Sequence, residues 1–200
     1  MKTHLVTFIL FIFWISNLSA QGLSILIMPG EGIVLNEDTF RIGKDRFSST
    51  IEKLDTNQNK VYYHFGYGIA CGLEQSIDSI SGDTIWKDGS WGFHTGQLFF
   101  DKNVEIKFYG NSQDSMTIEK IIVKYPAIAF LENGLMIGDY YKSIFNDFDR
   151  TDSSYNCAES GPSFCYYDEG VSFRMKKYDE DPFRDMINKI IAIEVYEKYK

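Results

Sequence analysis

The stretch YYDEGVSFRM, Tyr166 to Met175, is written a second time in this chain as FFDKNVEIKF, Phe99 to Phe108. Phe99-Phe100-Asp101 aligns with Tyr166-Tyr167-Asp168, and Val104 with Val171, at a constant offset of 67 residues. Each copy has two aromatics, a turn rich in Asp, Asn or Gly, and then alternating apolar positions. Those positions are Val104, Ile106 and Phe108 in the first copy and Val171, Phe173 and Met175 in the second. Period two is the signature of a strand with one buried face, so both stretches predict β-hairpins. Their Asp-Lys-Asn and Asp-Glu-Gly tips supply residues that tolerate positive φ.

The correspondence extends in both directions. Downstream, IEKIIVKY from Ile118 to Tyr125 matches INKIIAIE from Ile187 to Glu194, and both read as β-branched closing strands. Upstream, IGKDRFSSTIEKLD from Ile42 to Asp55 matches IGDYYKSIFNDFD from Ile137 to Asp149 if Lys44 is a one-residue insertion. Here the period changes. Phe47, Ile51 and Leu54 recur at helical spacing, as do Tyr141, Ile144, Phe145 and Phe148, which predicts a short amphipathic helix opening each unit. The expectation is an α+β fold of two tandem units sharing one layered core. Residues 21–39 form an N-terminal strand and lead-in, 40–126 the first unit and 134–200 the second. Extra residues at 56–97 lengthen the first unit, and a function-specific insertion belongs in such a place.

The first twenty residues read as an export signal. Lys2 gives a positive start, Leu5 to Ile15 is almost wholly apolar, and Leu18-Ser19-Ala20 places small residues before a cut at Gln21. A retained anchor is the lesser reading, because the apolar run is shorter than the ~20 residues a membrane helix needs. No later segment is apolar enough to be a span. Export to the periplasm or the extracellular space is expected, and with it an oxidising environment. Of three cysteines, Cys157 and Cys165 are the natural disulfide pair, because Ser160-Gly161-Pro162 can turn the chain between them. Cys71 is left over, either as a buried inert thiol or paired between molecules.

The formal net charge of -8 disfavours nucleic acid, and the basic residues are not clustered into a phosphate-binding face. With 44% hydrophobic and 16% aromatic residues the chain can bury a core. The paired "IG", short helix, antiparallel strands and "KI" closing strand resemble the tandem fold of beta-lactamase inhibitory protein and of small outer-membrane assembly lipoproteins. The Ser-Ala-Gln cleavage context resembles leaders of Bacteroidota. That resemblance implies an envelope protein that acts by binding another protein.

Chemical motifs are sparse. Gly66-Tyr67-Gly68 imitates a dinucleotide loop, but no βαβ unit surrounds it, so bends in an aromatic-rich strand explain it better. Asp55, Asn57 and Asn59 imitate the start of a calcium loop, which fails at Lys60 and Gly66. His64, His94 and Cys71 lie in or beside the insertion, without the spacing that a zinc site or an activated thiol requires. No catalytic residue, metal or cofactor is assigned. The aromatics of the insertion say more: Tyr63, Tyr67, Trp86, Trp91 and Phe93 are the candidate binding residues, since Tyr and Trp give large contact area with few rotors. Core packing would account for about half of such rings by strand alternation alone. The function expected is that of an exported, non-catalytic binding protein, of inhibitor or immunity type. The alternatives are an envelope assembly or structural protein, and a small hydrolase using Cys71 or His64 and His94.

Overall fold

A computed structural model describes residues 24–35, 37–55, 61–77, 84–100, 102–155, 157, 162–176 and 188–198, without the side chains of 55, 70–77 and 84–91. The expected leader at 1–20, the cut before Gln21, and Asn57 and Asn59 lie outside the described residues, as do the side chains of Cys71, Trp86 and Trp91. Alternation sets the strands. In β1 (Ser24–Met28) Ile25 and Ile27 are buried while Ser24 is exposed, and β2 (Gly32–Leu35) and β3 (Asp38–Arg41) follow as a meander. Helix α1 (Phe47–Asp55) comes next, then β4 (Val61–Ile77), β5 (Thr84–Phe100), β6 (Val104–Gly110) and β7 (Thr117–Lys124). The remaining strands are β8 (Ile128–Leu131), β9 (Ser154–Tyr155), β10 (Ser163–Tyr166), β11 (Val171–Met175) and β12 (Ile190–Tyr196).

The strands form two sheets. A four-stranded sheet has the order β3-β2-β1-β8, with β8 parallel to β1, and an eight-stranded antiparallel sheet has the order β4-β5-β6-β7-β12-β11-β10-β9. The larger sheet is therefore two four-stranded meanders meeting at the β7–β12 ladder. One apolar cluster takes Ile25, Ile27 and Phe40 from the small sheet, Ile106, Ile121, Phe173 and Ile193 from the large one, and Leu54 from α1. Both expected hairpins form: β5 pairs antiparallel with β6, and β10 turns into β11 at 167–170. The second strand of each carries a register shift at corresponding positions, Lys107/Phe108 and Arg174/Met175.

This architecture corrects the expected fold class. The described residues are mostly strand, arranged as a sandwich of sheets with one α-helix, not as an α+β fold with a helix in each unit. The helix expected around Tyr141 to Phe148 is a 3-10 segment, η2 (Tyr141–Asn146). The apolar spacing is honoured, because Ile144 is buried and Phe145 and Phe148 pack on Phe164 and Phe173. What differs is the polar sequence between. Asn146, Asp147 and Asp149 compete with the helical backbone through their own side chains, and Asp149 does so here by accepting from the Thr151 amide. Most of the 56–97 segment is β4 and β5.

The Ile-Gly-Asp element has the same job in both halves. The Gly43 amide donates to the Ile118 carbonyl and the Ile118 amide to the Asp45 carbonyl; the Gly138 amide donates to Ile190 and the Ile190 amide to Asp139. Each aspartate side chain also accepts a backbone amide, from Arg41 to Asp45 and from Met136 to Asp139. Gly43 (φ 68°) and Gly138 (φ 102°) occupy the left-handed region, which a Cβ would strain. The motif thus clips the start of α1 to the second residue of β7, Ile118, and the start of η2 to the first residue of β12, Ile190.

Candidate functional site

Two surfaces stand out on the eight-stranded sheet. The first is the face turned away from the core. Across β6, β7, β12, β11 and β10 it forms an open depression of about 790 Å³, lined among others by Glu105, Lys120, Lys124, Arg174, Glu194 and Tyr196. Its floor is mostly polar because most outward residues of these strands are: VEIKF places Val104, Ile106 and Phe108 in the core, so Glu105 and Lys107 must face outward. Glu105 lies opposite Ile122, which lies opposite Glu194, so the two carboxylates stand about 10 Å apart, two strand spacings.

Both glutamates are buried, at 7% and 4% exposed, and both are paired. Lys124 Nζ donates to Glu105 Oε2 at 2.7 Å and Gln97 Nε2 to Oε1 at 2.7 Å, with Lys107 at 3.9 Å. Glu194 accepts from Arg174 Nη2 and from Lys120 Nζ at 3.4 Å. Burial pushes the Glu105 carboxyl up, but the hydrogen bond and charge of Lys124, aided by Gln97 and Lys107, outweigh it and hold the group below its ordinary range. A carboxylate held ionised between cations is a poor general acid, so the network fits recognition and structure better than proton transfer. Sequence reading missed it. The signal was there in the charged residues interrupting the apolar runs of VEIKF, TIEKIIVK and IIAIEVY, but their partners lie on neighbouring strands.

The second surface is an arm. β4 and β5 pair along their whole length, Val61 with Phe100 through to Ile77 with Thr84, whereas β6 follows β5 only from His94 to Phe100. Gly68–Ile77 and Thr84–Phe93 therefore pair only with one another among the described residues, as a two-stranded ribbon projecting past the sheet. Rings and glycines interlock at its root. A Cβ at Gly68 would fall in the Phe93 ring, and one at Gly92 would strike the Tyr67 ring. Aromatic side chains laid over cross-strand glycines stiffen such ribbons.

The expected binding residues fall at different levels of this arm. Tyr63 and Tyr67 are exposed, at 55% and 64%, with Tyr63 edge-on to Phe47 and Tyr67 edge-on to His94 at 5.1 Å. Phe93 is half-buried against Tyr109, with centroids 5.3 Å apart. Trp86 lies opposite Gln75 and Trp91 opposite Ala70, both on the ribbon beyond the sheet. The residues of the hydrolase alternative do not meet. His64 stacks on Phe99 while His94, paired in register with Tyr67, belongs to the other face of the ribbon. Cys71 is four residues from Tyr67 along β4, about 13 Å, and seven from His64, about 23 Å.

Among the described residues no three His, Cys, Asp or Glu side chains gather as a metal site would require, and no helix is long and apolar enough to cross a membrane. Cys157 and Cys165 form the expected disulfide, with Cα atoms 6.1 Å apart, tying the chain just past β9 to β10. No family model, curated protein or solved structure matches the chain.

Proposed function

We propose that this chain is an exported, non-catalytic binding protein, of inhibitor or immunity type, that recognises a protein partner through the β4–β5 arm. The observation that carries this reading is the ribbon itself, in which ten residues of each strand extend past the sheet and pair with each other alone among the described residues. A projecting hairpin is costly to order unless it is used, because it buries little of its own surface. Trp86 and Trp91 are its anchors in this reading, and Phe93 braces the root against Tyr109. The Cys157–Cys165 bridge supports an oxidising destination, periplasmic or extracellular. A protein partner is favoured over nucleic acid because Lys120, Lys124 and Arg174 are already committed to Glu105 and Glu194.

The test is capture from the matching envelope and secreted fractions with the mature chain, beside a variant in which residues 70–91 are replaced by a two-residue turn. Shortening the arm should leave folding stability within about 1 kcal/mol, as for changes remote from a core, and abolish capture. Trp86→Ala and Trp91→Ala should each weaken binding by about 2 kcal/mol. Retained capture by the shortened variant moves recognition elsewhere, and recovery of a standing envelope assembly in place of one enzyme or toxin points to the assembly role.

A further inference from the structure

The outer edge of β4 is unlike the other sheet edges. β4 ends the eight-stranded sheet and, among the described residues, has a strand on one side only. At the opposite end β9 is two residues long and is followed at once by the Cys157–Cys165 bridge, and in the small sheet both edge strands, β3 and β8, are only four residues long, β3 carrying Asp38 and Arg41. Short strands, charges and local ties are the usual protections of a free edge. Along its first thirteen residues, Val61 to Leu73, β4 has none of them. It runs for seventeen residues, contains no proline, and has no charged residue from Val61 to Leu73 in a chain of net charge -8.

Its sequence is self-complementary. On the core side the successive residues are Val61, Tyr63, Phe65, Tyr67 and Ile69: a β-branched residue, a tyrosine, a phenylalanine, a tyrosine and a β-branched residue. Read backwards the order of types is the same. Tyr63, Phe65, Tyr67 and Ile69 are all exposed, although Phe47 touches the first two rings. On the outer side Tyr62 and His64 precede Gly66 and Gly68.

We propose that β4 pairs with β4 of a second copy, antiparallel and centred on Phe65, to make a homodimer with one continuous sheet. In that register Phe65 faces Phe65, Tyr63 faces Tyr67 and Val61 faces Ile69, so aromatic meets aromatic and aliphatic meets aliphatic along one face. On the other face Tyr62 falls opposite Gly68, which Phe93 of its own chain already covers, and His64 opposite Gly66, so no charged residue is brought together there either. A two-fold axis brings identical charges together, which an acidic chain tolerates only where the contact is uncharged. The nine-residue segment is that place, and its pairing satisfies a row of open backbone groups about 30 Å long. The occupant is thus a second copy, argued from the register and charge of the strand and independent of what the far end of the arm recognises.

The test uses the mature full chain. Sedimentation equilibrium should give a dimer at micromolar concentration, and Tyr67→Lys with Ile69→Lys should raise its dissociation constant by at least about 100-fold while the circular dichroism spectrum is retained. In a Cys71→Ser background, Phe65→Cys should cross-link to itself under mild oxidation, since directly opposed strand residues lie within disulfide reach. Tyr63→Cys in the same background should not, because it faces residue 67. A chain that stays monomeric to about 100 μM, roughly the weak end of specific self-association, overturns the proposal, even if its edge captures a strand from another protein. So does a dimer that Tyr63→Cys locks and Phe65→Cys does not, or one that the lysine variant leaves intact.

Discussion

Glu105 shows how a surface-facing position becomes an interior one. Its side chain points away from the apolar core, yet it is nearly inaccessible because Lys124, Gln97 and Lys107 close over it. Removing one partner of a buried pair leaves the other charge uncompensated, which costs 3 to 5 kcal/mol in full burial and less here because Lys124 is partly solvated. Lys124→Met should therefore destabilise by about 1 to 2 kcal/mol in urea unfolding. The pH dependence has a definite sign. The folded carboxyl titrates below its ordinary 4.5, so its contribution is complete above that value and is lost as pH falls through the folded value. The stability difference between the wild type and Glu105→Gln should shrink as pH falls below 4.5, and a constant difference would show that the carboxylate charge contributes nothing. None of this was legible in the sequence beyond the alternation. VEIKF announces that Glu105 faces outward, but how deeply it sits depends on residues from β5 and β7.

At the scale of elements, α1 is held across the sheet by rings from β4 and β6, which flank β5. Phe47 is edge-on to Tyr63 and Phe108 and tilted on Phe65, with centroids 4.7 to 5.6 Å away. Phe47→Ala opens a cavity at this junction and should cost about 3 to 4 kcal/mol. A loss below about 1 kcal/mol, the range of surface changes, would mean that the helix docks mainly through Leu54. This helix was legible, because Phe47, Ile51 and Leu54 suit an α-helical face, and the Ser49 and Thr50 hydroxyls bond back to the Arg46 carbonyl without breaking the turn. η2 was not. Tyr141 and Ile144 stand three apart, which serves a 3-10 turn as well as an α-helix, and the aspartates decided between them. The two hairpins were legible in every part that is local: paired aromatics, tip and alternation. The tip of the first differs in one detail, since Lys102 takes the positive φ, at 59°, in place of an Asn or Gly.

For the whole molecule, the Cys157–Cys165 bridge closes a short loop at the thin end of the eight-stranded sheet. Removing both thiols as Cys157→Ser with Cys165→Ser should cost about 2.5 kcal/mol by loop-closure entropy. Urea unfolding of oxidised and reduced protein measures it directly, and equal midpoints would show that β9 is held by its ladder alone. This bridge was readable from three cysteines and a turn. The small sheet was not. Its β1–β8 ladder joins Ser24 to Ile128, and local period carries no record of which distant strand a segment will meet. The expectation of α+β failed at that scale too, because β1, β2, β3 and β8 supply a layer that helices were expected to provide.

The β7–β12 ladder has a consequence in time. Within each half of the large sheet neighbouring strands follow one another in sequence, so their pairings are local and form early compared with the seam. The seam instead joins Lys120 to Tyr196 and Lys124 to Ala192. It cannot zip until both meanders exist, and until then each presents a bare, β-branched edge to every other chain in solution. Refolding yield should accordingly fall with protein concentration, and amides of β7 and β12 that bond across the seam should gain exchange protection after those within the hairpins.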